Sequence, residues 1–229
     1  GTTERLESED LTRLLNHYLT EMSEIALAHG ATIDKYVGDA MVIFFGDPDS
    51  RGIREDALAC VTMAIEMQKR MQALERLWME SGLEKPLQCR MGINTGICTV
   101  GNFGSEDRMD YTIIGGGVNL AARLEKACPP GEILISYETY SHVKDEIACR
   151  LEGQIQAKGF AEPVSTYQVL DLHGNLDENK RPIRSSSDHL RLEVEIGQMS
   201  AEERMEAART LRETADRLAN NSVTPQPPD

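Results

Sequence analysis

Between residues 9 and 29, Leu11, Leu14, Leu15, Tyr18, Leu19, Met22, Ile25 and Ala26 recur at three- and four-residue intervals, which predicts an amphipathic helix with one buried face. Gly30, just past its end, suits a C-cap. The period then shortens. Thr32 to Tyr36 and Met41 to Phe45 are rich in β-branched and aromatic residues, and Gly38-Asp39 between them suits a two-residue turn with glycine in the first central place. Helical spacing returns from Glu55 to Met79 through Leu58, Val61, Ile65, Met71, Leu74 and Leu77, and SGLEKP breaks it.

Leu87 to Asn94 reads as a strand, and Gly96 to Phe103 with Met109 to Ile114 as a second hairpin around the turn-rich GSEDR. Gly115 to Gly117 lead into a helix, VNLAARLEKA, stopped by Pro129-Pro130. EILIS reads as a strand, Tyr137 to Val143 as a helix and Ser165 to Leu170 as a strand. Strands and helices alternate, yet several strands are joined by hairpins. This predicts an α+β sandwich, a mostly antiparallel sheet backed by helices, over a parallel doubly wound sheet.

The pattern changes past residue 170. Residues 171–188 read as a linker and 189–219 as a strand-helix extension. In the latter Leu190, Leu192, Val194 and Ile196 alternate with polar residues, and Ser200 with Glu203 forms a capping box opening a helix to about Leu218. Residues 220–229 are expected to be a disordered tail.

Composition narrows the function classes. The 229 residues, 40% hydrophobic and 27% charged, suit one main globular domain plus an appendage. No run approaches the roughly 18 to 20 apolar residues of a membrane span, and GTTERLESED is too acidic for a signal peptide. The expectation is a soluble, non-exported segment with no membrane contact of its own. Five cysteines, odd in number and never in a CxxC pair, suggest neither a disulfide framework nor a zinc site, and read as small buried residues of a reducing cytosol. A formal charge of −14 without a basic run argues against a nucleic-acid partner. A bound polyphosphate would need local positive charge or a metal to offset that field.

Candidate chemistry sits in two segments. Asp39, in its tight turn, reads first as a cap on its own backbone; the alternative is a magnesium site, which uses one or two carboxylates plus phosphate oxygens. Lys35 reads first as a solvent-facing strand lysine. In MDYTIIGGGVNLAARLE, glycines permit close backbone approach, and Asn119 and Arg123 share one helix face at i and i+4. An amide and a guanidinium there suit a phosphate, while an ordinary turn and a surface ion pair explain them equally well. The five histidines lack spaced partners, and no GxSxG, HExxH or GxxxxGK[ST] occurs.

Taken together, IDKYVGDAMVIFFG, MGINTGICTVGNFG and MDYTIIGGGVNLAARLE, in this order and spacing, resemble the catalytic domain of class III nucleotidyl cyclases, and among them bacterial adenylyl cyclases. The resemblance spans residues 6–170. It implies a ferredoxin-like α/β sandwich over residues 1–170, working as a head-to-tail homodimer with active sites shared across the interface. It further implies that ATP is converted to 3′,5′-cyclic AMP and pyrophosphate with two Mg²⁺ or Mn²⁺ ions per site.

By the same resemblance Asp39 is a metal ligand, Lys35 donates to the adenine ring and Thr112 accepts from its exocyclic amine. Asn119 orients the ribose, Arg123 stabilises charge on the transferred phosphoryl group, and Lys158 contacts the terminal phosphates. Guanylyl cyclases typically carry Glu and Cys where Lys35 and Thr112 stand, so the pair implies ATP. The threonine also resembles a subgroup that often responds to bicarbonate. The family carries its first metal aspartate in an F-x-D-I-x-G-F-T strand before the first helix, and GTTERLESED stands without it, which implies a preceding segment. Regulatory or membrane modules commonly precede such domains, so the expected location is cytoplasmic, with tethering left to the full-length protein. Two alternatives stay open: a catalytically silent cyclase-like dimerisation module, and a guanylyl cyclase.

Overall fold

Helix α1 (Ser8–Ala28) carries its apolar stripe, Leu14, Tyr18, Met22 and Ala26, into a cluster with Met63, Met67, Met71, Leu74 and Trp78 of helix α2 (Ile53–Glu80). The computed structural model in which this is seen describes residues 8–83, 86–105, 108–156, 162–176, 183–194, 196 and 199–220. The chain divides into two units, Gly1–Gly174 and Asn175–Asp229.

Both long helices of the first unit stop on glycine. Gly30 takes φ +80°, and the amides of Gly30 and Ala31 donate to Leu27 O and Ala26 O, both at 3.0 Å. Gly82 at φ +96° repeats the arrangement, with Gly82 and Leu83 donating to Met79 O and Trp78 O at 3.0 and 2.9 Å. These paired bonds satisfy carbonyls that the helix end leaves open, and the left-handed residue is one that glycine takes without a Cβ clash.

A two-toothed clamp joins the helices. Arg70 Nε and Nη2 donate to Glu21 Oε2 and Oε1 at 2.7 and 2.6 Å. The Arg70 bond outweighs desolvation and, with the charges of Arg70 and His17 adding to it, holds the Glu21 carboxyl below its usual range. A depressed folded-state pKa means the contribution is complete above the ordinary glutamate value and disappears as pH falls through the depressed one. Glu21→Gln should therefore cost under about 1 kcal/mol at pH 7, because the pair is partly exposed. In acid, urea unfolding of variant and parent should converge.

Strands β1 (Thr32–Val37) and β2 (Ala40–Phe44) form the expected hairpin, with Val37 opposite Ala40 across Gly38-Asp39. Gly38 has φ +65° while no described non-glycine residue has a positive φ, the pattern of a II′ turn. The pairing is not uniform: Ile33 faces Ile43 and Lys35 faces Val42, so Asp34 is an extra residue in the ladder.

A four-stranded sheet runs β3-β6-β8-β7, from β3 (Met91–Ile93), β6 (Ile133–Ser136), β8 (Val164–Leu172) and β7 (Ile147–Ile155). The β3-β6 pairing is parallel and the others antiparallel. Strand β6 is buried on both faces: Ile133 and Ile135 join Ala57, Val61, Ala64 and Ile65 of α2, while Leu134 joins Leu120 and Leu124 of α3 (Gly116–Ala127). Period-two alternation thus sends neighbouring residues into different cores, one under α2 and α4 (Tyr137–Val143), the other under α3. Strands β4 (Thr99–Ser105) and β5 (Arg108–Ile114) form the second predicted hairpin.

The structure departs from expectation in three places. The strand expected over Leu87 to Asn94 is only Met91–Ile93, because β6 offers a parallel partner for those three residues; Cys89 O is instead bonded by Gly131 N and the Gln68 amide, each at 2.8 Å. Strand β7 had no counterpart in the pattern. Two register shifts, between Ala148 and Cys149 and between Leu151 and Gly153, break the alternation that would have marked it. Third, the segment expected as linker is not all linker: Asp171 and Leu172 finish β8, and β9 (Ile183–Ser187) pairs antiparallel with β10 (Leu190–Val194). Its Ser-rich half resembles a loop, and only the partner strand makes it a hairpin. In this second unit α5 (Ala201–Asn220) opens on the predicted capping box, with Ser200 N donating to Glu203 Oε2 at 2.7 Å and Glu203 N to Ser200 Oγ at 3.2 Å. Residues 221–229 of the expected tail lie outside the described residues.

Candidate active site

The two hairpins meet at one hydroxyl. Lys35 Nζ, on β1, donates to Thr112 Oγ1, on β5, at 2.8 Å, across 77 positions of sequence. Thr112 Oγ1 in turn donates to Asp34 Oδ2 at 3.0 Å, and Lys35 Nζ lies 3.3 Å from the same oxygen. In a regular strand Asp34 and Lys35 would point to opposite faces. The bulge at Asp34 removes that constraint and lets both reach Thr112.

The three side chains differ in exposure. Lys35 is 48% exposed and the Asp34 side chain 1%, while Thr112 is 7% exposed. Asp34 Oδ1 is buried and has no hydrogen-bond partner among the described residues. Opposite Thr112 in the β4-β5 ladder stands Gly101, where an added Cβ would meet nothing nearer than the Phe103 ring at 3.7 Å. Directly opposed residues share a face, so the residue paired with Thr112 adds no side chain of its own beside it. A second tie joins the hairpins: the Tyr111 hydroxyl donates to the Asp47 carboxylate, whose backbone carbonyl accepts from Thr32 Oγ1 at 2.7 Å. That bond is the first cause raising the Tyr111 hydroxyl pKa.

Asn119 and Arg123 lie on exposed positions of α3, one turn apart as expected. The helix starts directly after β5, with Gly115 (φ +145°) at its N-cap. Its seat is tight. A Cβ on Gly92 of β3 would fall 2.1 Å from Glu125 N and 2.4 Å from Ala121 O, so helix backbone rests directly on strand backbone. At its first turn Asn94 Nδ2 donates to Gly117 O at 3.2 Å, while Asn94 Oδ1 accepts from the buried Ser136 Oγ at 2.8 Å. Ser136 also caps α4, accepting from Thr139 N at 3.3 Å. Asn94 therefore ties α3 to β6 and α4. Among the described residues no hydrogen bond or ion pair engages the Arg123 guanidinium, and none joins Asn119 or Arg123 to Lys35, Thr112 or Asp39.

Asp39 is exposed at the tip of the first hairpin, with no side-chain hydrogen bond among the described residues. No group of three or more His, Cys, Asp or Glu able to hold a metal occurs among them. Lys158 lies outside the described residues. Burial pushes the Cys60 thiol up to about 12 and Cys128 to about 11, so neither is a nucleophile at neutral pH.

Sequence reasoning brought out Lys35, Thr112, Asn119, Arg123 and Asp39, and missed Asp34 and Asn94. The available signal for Asp34 was two adjacent charged residues inside a strand, which a regular alternation does not accommodate.

The family model for the adenylate and guanylate cyclase catalytic domain matches residues 2–171. The terminal-differentiation-specific adenylate cyclase of Dictyostelium discoideum is 33% identical over 176 residues, which cover 75% of this chain and 8% of that protein. The chain thus spans a small part of that curated relative. Among solved structures, the adenylyl cyclase CyaB from P. aeruginosa is 61% identical, with TM-score 0.72 over 74% of this chain and 86% of that one. The guanylyl cyclase Cya2 is 36% identical, with TM-score 0.69 over 75% and 85%.

Proposed function

The chain belongs to the adenylate and guanylate cyclase catalytic-domain family, and from that premise we propose that it is an adenylyl cyclase domain, forming 3′,5′-cyclic AMP and pyrophosphate from ATP as a head-to-tail homodimer. The observation that carries the choice of nucleotide is the 2.8 Å contact between Lys35 and Thr112. Adenine offers a ring-nitrogen acceptor beside an amine donor, and guanine the reverse, an N–H donor beside a carbonyl acceptor. A lysine, which only donates, paired with a threonine oxygen that accepts, matches adenine. The 61% identity to an adenylyl cyclase supports the same reading.

The reaction is an in-line attack of the ribose 3′ oxygen on the α-phosphorus, so positioning and charge stabilisation carry most of the catalysis. Asn119 holds the ribose and Arg123 offers its fork of donors to oxygens gaining charge at phosphorus. Lys158 contacts the terminal phosphates. Asp39, exposed and uncommitted, suits a hard divalent cation that takes its remaining ligands from phosphate and water. Two Mg²⁺ or Mn²⁺ ions, when bound, stabilise the attacking and leaving oxygens. One exposed carboxylate per hairpin fits part of such a site, which a second carboxylate would complete. No helix among the described residues is long and apolar enough to cross a membrane.

The full-length protein given Mn-ATP should form cyclic AMP, with kcat/KM at least about tenfold above that for GTP. Absence of cyclic AMP would overturn the proposal, and bound nucleotide without turnover would favour a silent module. Lys35→Glu with Thr112→Cys should shift the preference toward GTP; an unchanged preference would remove these two residues from base recognition.

A further inference from the structure

We propose that Asp34 is a specificity-determining residue: by holding the Thr112 hydroxyl proton, it makes Thr112 an acceptor-only group toward the base. This rests on the adenylyl cyclase reading and assigns a role to a residue which that reading leaves without one. A threonine hydroxyl has one proton and two lone pairs, so by itself it serves a donor or an acceptor and discriminates poorly between adenine and guanine. Here its proton is committed to Asp34 Oδ2 at 3.0 Å and one lone pair to Lys35 Nζ at 2.8 Å. What remains is a lone pair. That accepts from the exocyclic amine of adenine and repels the carbonyl oxygen of guanine.

The surroundings keep the proton there. Thr112 is 7% exposed, so its hydroxyl has little access to water as another acceptor. The Asp34 side chain is 1% exposed and anchored beside the Lys35 ammonium at 3.3 Å. The position exists only because the ladder is bulged at Asp34, which brings two consecutive side chains to one hydroxyl. Asp34 Oδ1, buried without a hydrogen-bond partner among the described residues, shows that this carboxylate is poorly placed as a stabiliser of the fold. Removing it leaves Lys35 bonded to the Thr112 oxygen and releases the Thr112 hydroxyl proton, which can then turn toward the base.

The test uses the full-length protein and two readouts: the ATP/GTP ratio of kcat/KM, and the dissociation constant for 3′-deoxy-GTP divided by that for 3′-deoxy-ATP, two analogues that bind without a 3′ hydroxyl to react. Asp34→Ala should lower both ratios by about tenfold, acting on KM more than on kcat. In a Thr112→Val background the same change should alter them less than about twofold, because Asp34 acts through Thr112. Asp34→Asn, whose amide oxygen the Lys35 ammonium draws to the same place, should retain most of the parent ratio. Equal losses for both nucleotides in Asp34→Ala, a full additional effect in the Thr112→Val background, or an Asp34→Asn variant as unselective as Asp34→Ala would each overturn the inference. A parent protein that forms no cyclic AMP removes the proposed function instead, and the analogue binding ratios then decide the inference alone.

Discussion

Arg123→Ala should lower kcat for cyclic AMP formation by about 10²- to 10³-fold, the range seen when one preorganised donor to a developing anion is removed. The effect belongs on kcat, because the guanidinium is proposed to meet charge that grows only as the α-phosphorus is attacked. Nothing in the fold opposes this change. Arg123 is exposed and makes no hydrogen bond or ion pair among the described residues, so the variant should unfold at the parent's temperature. Arg123→Lys should recover only part of the loss, since an ammonium restores charge without the fork. The same residue tests the shared site. Equal amounts of Asp39→Ala and Arg123→Ala protomers, mixed and allowed to exchange, should regain up to about a quarter of parental activity, because random pairing makes about half the dimers mixed and each has one intact site. Failure to complement, with both variants folded and dimeric, would place Asp39 and Arg123 in the same protomer's site and remove the head-to-tail arrangement.

The second large effect is structural in origin. Gly92→Ala should destabilise the protein by about 3 kcal/mol or more and abolish most activity, because its Cβ would fall 2.1 Å from Glu125 N and 2.4 Å from Ala121 O. Both obstacles are backbone, so α3 itself must move, taking Asn119 and Arg123 with it. Thermal unfolding should show a fall of about 6 to 12 °C for a chain of this size. Gly116→Ala supplies the contrast: no atom lies within 4 Å of its added Cβ, and alanine favours the helix, so little or no loss is expected. A Gly92→Ala protein that melts with the parent would show that α3 does not rest on β3 as described.

Much of this arrangement was legible along the chain. The heptad-like stripe of α1, the long apolar face of α2 and the glycines that end both helices appear where the period and the capping chemistry place them. So do the Gly38-Asp39 turn and the Ser200-Glu203 box, because each is a bargain struck between residues a few positions apart. Strand β7 was not legible, since two register shifts remove the alternation that announces a strand. Strand β9 was not either, because Ser185 to Ser187 resemble a loop until Leu190 to Leu192 pair with them.

The site divides along the same line. Sequence by itself determined which side chains stand in the motifs: Lys35 and Asp39 about one turn, Thr112 in the second hairpin, and Asn119 and Arg123 on one helix face. It did so because motif spacing and helical period are local properties. Only the tertiary structure decided that Lys35 and Thr112 touch, that a bulge brings Asp34 to the same hydroxyl, and that Gly92 is the surface on which α3 rests. Each of these is a contact between segments tens of residues apart, set by sheet register and by how closely two backbones approach. A single-residue slip in either would redirect the side chains while leaving the local pattern unchanged.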